Sequence, residues 1–357
     1  MIRIGLIGCG FISKKHIETI AQHEGFQLTA VSDIHPHKMD EAVQQYHHHK
    51  QSVTIAKYKD YQLLLKDQKV DVVLIATISG LHAQIAKQAL YAGKHTIIEK
   101  PMALSLTESR ALLLIAKQKK RRIFVCHQLR YLPLLEKVNA LIQKGTFGKI
   151  YYGSVTIRLN RSSDYYDQAK WKGSWDQDGG MLLNQGIHLI DLLIWMVGDV
   201  SAVYGEMASY LDVKDKEDVF TGILSFKNGA KGIVEANTIS KPRNIGYHLA
   251  IFGEKGSLVM GGKSIKHVQH CHVDGEPNIL HQLRTIEKKK VNERSLMYDD
   301  IYRSLTMNHQ GKLTGEASHK ALEVIFAMYQ STQKNARIRL PITEFTTKNM
   351  GKRRSDK

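Results

Sequence analysis

The chain is poor in cysteine, with three among 357 residues (Cys9, Cys126 and Cys271). An odd number at such wide spacing makes no disulfide framework and points to a reducing cytosol. No stretch approaches the ~18 uncharged apolar residues of a membrane span. The opening MIRIGLIGCG lacks the basic-then-apolar pattern of a secretory signal and runs straight into a glycine turn. These features together lead us to expect a cytoplasmic protein. Acidic side chains are also scarce relative to basic ones: 34 Asp+Glu against 51 Lys+Arg, a formal charge of +17. That balance favours anionic ligands, from nucleotides and acidic sugars to nucleic acid. Neither zinc-finger spacing nor an RNA-binding signature accompanies the charge, so nucleic acid is not expected as a partner.

What is present is ordinary globular material, 43% hydrophobic and 24% charged. At roughly 150 residues per domain the length suggests two domains. In the first half, apolar β-branched runs alternate with segments of helical period. Ile2–Ile7, Leu28–Ser32, Val70–Thr77, His95–Ile98 and Ile123–Cys126 read as strands, and Phe11–Ala21, His82–Tyr91 and Thr107–Lys117 as helices. This alternation predicts an α/β, doubly wound parallel sheet. Later, strand-like segments (Lys149–Arg158, Ala202–Ser209, Val219–Phe226, Ala230–Thr238, Tyr247–Phe252) recur with little helix between them. A helix around Leu134–Gln143 precedes them and another, around Gly186–Met196, interrupts them; two late helices, Leu296–Met307 and Glu316–Lys334, follow. The expectation is an α+β domain with a large, mainly antiparallel sheet. The boundaries expected are 1–123 for a nucleotide-binding domain, 124–345 for a substrate-binding and oligomerisation domain, and 346–357 for a frayed basic tail.

Gly8-Cys9-Gly10-Phe11-Ile12-Ser13 joins the first strand to the first helix. Gly8 permits a tight turn, and Gly10 lets a pyrophosphate approach the backbone at the positive end of the helix. Ser13 stands where a third glycine often occurs. Asp33, at the end of the second strand, is where a carboxylate meets the adenosine ribose hydroxyls and repels a 2′-phosphate. NAD is therefore favoured over NADP, with Lys38 and His37 leaving NADP as the lesser alternative.

Glu99-Lys100-Pro101 after one strand and Thr77-Ile78-Ser79-Gly80-Leu81-His82 after another make the glycine turn more specific. With Gly179-Gly180-Met181-Leu182-Leu183-Asn184-Gln185-Gly186-Ile187-His188, Gly315-Glu316-Ala317 and Arg339-Leu340-Pro341, the chain resembles the glucose–fructose oxidoreductase / inositol dehydrogenase / rhizopine-catabolism family over nearly its whole length. The resemblance implies a dehydrogenase acting on CH–OH groups. It implies that Gly8, Gly10, Phe11, Ile12, Asp33, Thr77, His82, Glu99, Lys100 and Gln128 surround the cofactor. A lysine at a strand's C-terminal end points into the ligand crevice of an open α/β sheet, and an adjacent positive charge favours its neutral amine. The resemblance further implies that His188 approaches the same substrate hydroxyl as Lys100, with His188 as general base and Lys100 positioning the hydroxyl, or the reverse. Asn184, one helical turn before His188, stands where many relatives carry aspartate, so it is expected to orient substrate rather than relay a proton. Asp191 is expected either to orient His188 or to serve packing.

Arg130, Arg158, Tyr166, Trp171 and Lys172 complete the expected substrate contacts. The loop Tyr165-Tyr166-Asp167-Gln168-Ala169-Lys170-Trp171-Lys172-Gly173 resembles members that oxidise UDP-N-acetylglucosaminuronate at its 3-hydroxyl. Aromatic faces suit a sugar or uracil ring, and Arg158, Arg161 or Lys172 suit its anionic groups. A free-sugar or inositol dehydrogenase is the alternative enzyme. A catalytically silent nucleotide sensor is the alternative of another class, and the pairing of Lys100 with His188 argues against it. The cluster His267, His270, Cys271 and His272 is not expected to bind metal, because on a strand His270 and His272 share a face without Cys271. The late sheet leaves a face for another subunit, as the resemblance implies, so a homodimer or homotetramer is expected.

Overall fold

The computed structural model describes residues 1–50, 53–211, 216–307 and 309–351. The chain clusters into two compact units, one of Met1–Gln128 with Asn292–His319, the other of Leu129–Val291 with Lys320–Lys357. The sequence reading placed the late helix at Leu296–Met307 in the second domain; its contacts are instead with the first unit.

In chain order, the first unit runs β1 (Ile2–Ile7), α1 (Phe11–Gln22), β2 (Phe26–Ser32), α2 (Pro36–His47), β3 (Ala56–Tyr58), α3 (Tyr61–Lys66), β4 (Val72–Ile75), α4 (Ser79–Tyr91), β5 (His95–Ile98), α5 (Leu106–Lys119) and β6 (Ile123–Val125). Its six strands lie in the order β3-β2-β1-β4-β5-β6, all parallel. Val72, Val73, Leu74 and Ile75 of β4 are all buried, as a central strand covered on both faces requires. The order reverses between β1 and β4, which is where doubly wound sheets take their ligands. The expected strand Val70–Thr77 is shorter than its apolar run, because Ala76 and Thr77 turn away as the loop that meets Gly8.

The second unit opens with α6 (Pro133–Gln143) and β7 (Ile150–Arg158). A short helix α7 (Ser163–Asp167), a π-helical turn (Leu182–Gly186) and α8 (Ile187–Val197) follow. Then come β8 (Val200–Ala208), β9 (Val219–Phe226), β10 (Lys231–Asn237), β11 (Gly246–Gly253), β12 (Gly256–Gly262), β13 (Val268–Val273) and α9 (Ile279–Glu287). Helix α10 (Glu293–Thr306) belongs to the first unit; α11 (Gly315–Lys334) begins there and continues in the second, where β14 (Ile338–Arg339) and a 3₁₀ turn (Thr347–Asn349) follow. The sheet order is β13-β12-β11-β7-β10-β9-β8-β14. Its pairs are antiparallel except β7 with β10.

Alternation along β7 sorts the two faces. Gly153, Val155 and Ile157 are buried, and a Cβ on Gly153 would lie 2.9 Å from both Leu193 and Val197 of α8. Ser154, Thr156 and Arg158 project from the other face, which is only partly covered. Ile233 of β10 pairs with Ser154 and with Ile223 of β9, and these isoleucines are 39% and 54% exposed. The expected frayed tail from 346 is ordered at its start, where Thr347 and Met350 are buried; residues 352–357 lie outside the described part.

Gly246 has φ +132°, and a Cβ there would meet the Gly262 carbonyl oxygen at 1.8 Å. We expect Gly246→Ala to weaken the β11–β12 pairing and cost at least ~2 kcal/mol by urea unfolding; wild-type stability in that variant would contradict the close backbone approach.

Candidate active site

The glycine turn after β1 is held from below. Gly8, at φ +92°, could not carry a Cβ, which would lie 2.7–2.8 Å from the Ala76 and Thr77 backbone. Asp33 closes the turn from β2: its carboxylate accepts from Cys9 N and from His35 N, each at 2.9 Å. Ser13 is buried, and its hydroxyl donates to the Gly10 carbonyl at 2.6 Å. Above the turn there is room, since a Cβ on Gly10 would meet nothing within 4 Å. Helix α1 has no side-chain cap and no acidic residue in its first turn. Its free amides and positive end therefore suit an anion. Phe11 beside them is 82% exposed, while Ile12 is half-buried. This is the fit that a dinucleotide's pyrophosphate needs. Cys9 is no nucleophile: burial, with Asp33 adding to it, pushes its thiol up to about 12.

The next two loops are tied to the core. His82 is buried, with Nδ1 at 2.8 Å from the Pro101 carbonyl and Nε2 at 3.1 Å from that of Thr77. It joins the loop after β4 to the loop after β5; burial lowers its pKa against the pull of those carbonyls. Thr77 and Lys100 are half-buried, and the Lys100–Pro101 peptide is cis.

Glu99, expected at the cofactor, turns inward. Its Oε1 accepts from His16 Nε2 of α1 at 2.8 Å, and Oε2 accepts from the Lys100 amide at 3.2 Å. Nδ1 of His16 is 2.8 Å from the Tyr298 hydroxyl of α10, so both ring nitrogens are engaged. Burial works to raise the Glu99 pKa, but the His16 hydrogen bond and the charges of His16, Lys100 and Arg294 hold it at about 2. Cys126 lies within the same 4.8 Å cluster as His16 and Glu99, and burial raises its pKa well above the usual thiol value. Gln128 opens the 3₁₀ turn that follows β6.

In the second unit the signature Met181–His188 becomes a π turn running into α8. Extra residues of this kind recur at functional sites because they re-aim side chains. From Met181 to Ile194, Asn184, Gln185 and His188 are the residues that are not fully buried. A plain α-helical turn between Asn184 and His188 was the expectation; the π turn changes the path between them. Asn184 donates through Nδ2 to Asp178 Oδ1 at 2.5 Å, and Gly173 N donates to Oδ2 at 2.8 Å. The sequence reading assigned Asn184 the task of orienting substrate and named no side chain to fix its amide. Asp178 supplies one from a preceding loop, and only its spacing of six residues before Asn184 hinted at it.

Two expected substrate contacts are committed elsewhere. Arg130 is buried, gives Asp191 two hydrogen bonds at 2.8 and 2.7 Å, and its guanidinium carbon lies 5.4 Å from the Trp195 ring centroid. Asp191 thus braces α8 against the turn that holds Arg130. Arg158 pairs with Glu235 on the open face of the sheet, at 2.7 and 2.8 Å. Tyr166 is fully buried, with Lys216 Nζ 4.6 Å from its ring. It meets Tyr165 edge-on at 5.0 Å, and Tyr165 carries Lys172 and Arg161 over its ring at 4.3 and 4.8 Å. Trp171 is half-buried. Burial lowers the pKa of Lys172 and of Lys216 against the opposing charge of Asp178. Tyr165 and Lys216, absent from the expected substrate contacts, therefore belong to this cationic, aromatic cluster. The histidines of β13 go to separate partners: His270 to Ser257, His272 to Asp274, and His267 just before the strand to Glu287.

Strand order, glycine turn and acid after β2 together define a dinucleotide-binding oxidoreductase. Residues 2–127 match the oxidoreductase family with an NAD-binding Rossmann fold, and residues 135–259 match the GFO/IDH/MocA C-terminal domain. The chain belongs to this GFO/IDH/MocA family of NAD-dependent oxidoreductases. Its structure is similar to that of the WlbA dehydrogenase from Chromobacterium violaceum, solved with NADH and UDP-GlcNAcA (29% identity, 96% of each chain, TM-score 0.89). The WlbA dehydrogenase from Bordetella pertussis, with the same two ligands, is similar at 31% identity (96% of this chain, 99% of that one, TM-score 0.85). In sequence, the chain is 27% identical to myo-inositol 2-dehydrogenase from Thermotoga maritima over 72% of this chain and 74% of that protein. Among the described residues no helix is long and apolar enough to cross a membrane.

Removing His16 leaves a buried carboxylate short of its main donor. We expect His16→Ala to cost about 3 kcal/mol by urea unfolding at pH 7. Because the folded pKa of Glu99 lies below its ordinary 4.5, its contribution is present above that value and is lost as pH falls toward about 2. Glu99→Gln should therefore flatten the acid limb of the stability profile; an unchanged limb would remove the pair from the account.

Proposed function

We propose that the protein oxidises a ring hydroxyl of an anionic nucleotide sugar, the 3-hydroxyl of UDP-N-acetylglucosaminuronate. The observation that carries this reading is the half-buried polar stripe Asn184, Gln185 and His188 in an otherwise buried helix. The sugar ligand in both WlbA structures supports it, as does the cluster of Arg161, Lys172 and Lys216 around two tyrosines. A charge of +17 suits a substrate carrying a carboxylate and a diphosphate.

Bound NAD supplies the hydride acceptor, held by Gly8, Gly10, the start of α1 and Asp33. His188 takes the proton of the hydroxyl whose carbon is oxidised. Lys100 hydrogen-bonds the same oxygen and stabilises the negative charge that develops on it. Asn184, its amide fixed by Asp178, donates or accepts toward a neighbouring sugar hydroxyl but moves no proton.

The test is NADH formation from UDP-N-acetylglucosaminuronate beside free sugars and inositols. Faster turnover of a free polyol would replace the substrate and leave the class intact. Lys100→Ala should lose at least ~10²-fold in kcat while NADH binding persists. Turnover at the wild-type rate in that variant would defeat the role of Lys100.

We also propose that the open sheet face meets a second copy, giving a homodimer or homotetramer. Ile223 and Ile233 lie side by side there with Tyr204 opposite Ile223, and exposed isoleucines in one row are costly in water. Light scattering should show an oligomer that Ile233→Lys dissociates; a monomeric wild type would end this proposal.

A further inference from the structure

Glu217, just before β9, is fully buried and takes no part in the chemistry proposed above. Its Oε1 accepts from the Leu182 amide at 3.0 Å and from the Tyr329 hydroxyl of α11 at 2.5 Å. The Tyr329 hydroxyl also lies 3.2 Å from the Leu182 amide. Leu182 is the first residue of the π turn, preceded by Met181 in helical conformation. Its amide is thus one of those that a helix start leaves without an intrahelical partner. A carboxylate reaching it from a distant part of the chain acts as a cap, and negative charge is favoured there.

The fit is tight. Gly180, at φ +92°, lies so close that a Cβ would be 2.5 Å from Trp175, 2.6 Å from the Tyr329 hydroxyl and 2.7 Å from Glu217 Oε2. Oε2 itself is buried without a hydrogen-bond partner among the described residues. A plain packing position would be filled at lower cost by an apolar side chain. We propose that Glu217, with Tyr329, is a positioning residue that sets the start of the π turn and thereby the aim of Asn184 and His188. The proposal rests on the reading that those two side chains handle the substrate.

The electrostatics give the brace a signature. Groups of charge or ionisable type facing it are Lys216 beside it, Tyr329 on α11 and Asp178 in the loop before the turn. Burial raises the Glu217 pKa to about 7, against the lowering by Lys216, Tyr329 and the Leu182 amide. The folded state therefore binds more protons than the unfolded state between the ordinary 4.5 and about 7. Its contribution to stability falls as pH rises through that window.

The test compares wild type with Glu217→Gln in thermal unfolding from pH 5 to pH 8, and in amide exchange of the peptide spanning 179–190. Expected is a variant that matches wild type near pH 5, melts higher at pH 8, yet exchanges about tenfold faster across the π turn through the weaker neutral cap. On a turned-over substrate its kcat should fall about tenfold or more with NADH affinity unchanged. Tyr329→Phe keeps the charge but removes one donor; it should loosen the same peptide and melt lower at pH 8. Exchange unchanged in both variants, or no pH-dependent gap in melting, would overturn the proposal. Melting and exchange need no substrate. If both respond as expected while no sugar yields NADH, the substrate reading fails and the brace stands; if Lys100→Ala is inactive and Glu217→Gln is not, the brace alone fails.

Discussion

A carboxylate removed from water must be answered by donors, and in this chain two of those donors come from far along the sequence, His16 for Glu99 and Arg130 for Asp191. Glu99 is answered by His16 and the Lys100 amide, Asp191 by Arg130, Asp178 by Asn184 and the Gly173 amide. Each pairing fixes a stretch of backbone that carries a candidate functional side chain. The net worth of such pairs to stability is modest or negative, since desolvation offsets attraction. Their geometric consequence is larger: remove a donor and the acid is stranded, so alternative placements of the same loops are penalised. The two units obey one rule. Candidate functional side chains stand near the end of an element, and a buried acid holds the backbone beside them.

That rule also explains what the sequence disclosed and what it withheld. The parallel sheet was legible because central strands such as Val72–Ile75 are continuous apolar runs and because the glycine turn falls between a strand and a helix. Strand β3, three residues of Ala56-Lys57-Tyr58, carries no such signal, being an edge strand paired on one side. Strands β12 and β13 were missed for a related reason. Gly256, Gly261 and Gly262 give β12 the look of a loop, and β13, Val268–Val273, lacks a clean apolar alternation, although His270 and His272 sit on one face as a strand would place them. In the sheet the glycines allow close backbone approach, and the histidines are simply its outward positions.

Site residues divided along the same line. The turn at Gly8 and the position of Asp33 after β2 were legible because both are local features of a strand end. Arg130, Arg158 and Tyr166 were assigned to substrate because residue type and neighbourhood allow it, but type says nothing about the partner 61 or 77 residues away that claims the side chain. Asp178 and Glu217 were overlooked for the converse reason. Neither belongs to a motif, and each acquires meaning only once folding brings it to Asn184 or to the Leu182 amide.

The π turn draws these threads together. A regular α-helix from Met181 would leave the same first amides unpaired, and an ordinary Ser, Thr, Asp or Asn just before it would answer them. Instead the segment begins with two glycines at positive φ, takes a cap from Glu217 and Tyr329, and is pinned again at Asn184 by Asp178. Two buried acids stand next to one turn, and Lys216 feels the charge of both. Such an arrangement is poor design for stability alone. It is intelligible if the quantity being controlled is the direction in which a few half-buried side chains leave an otherwise sealed helix, because a misplacement of about 1 Å costs on the order of 10²-fold in rate.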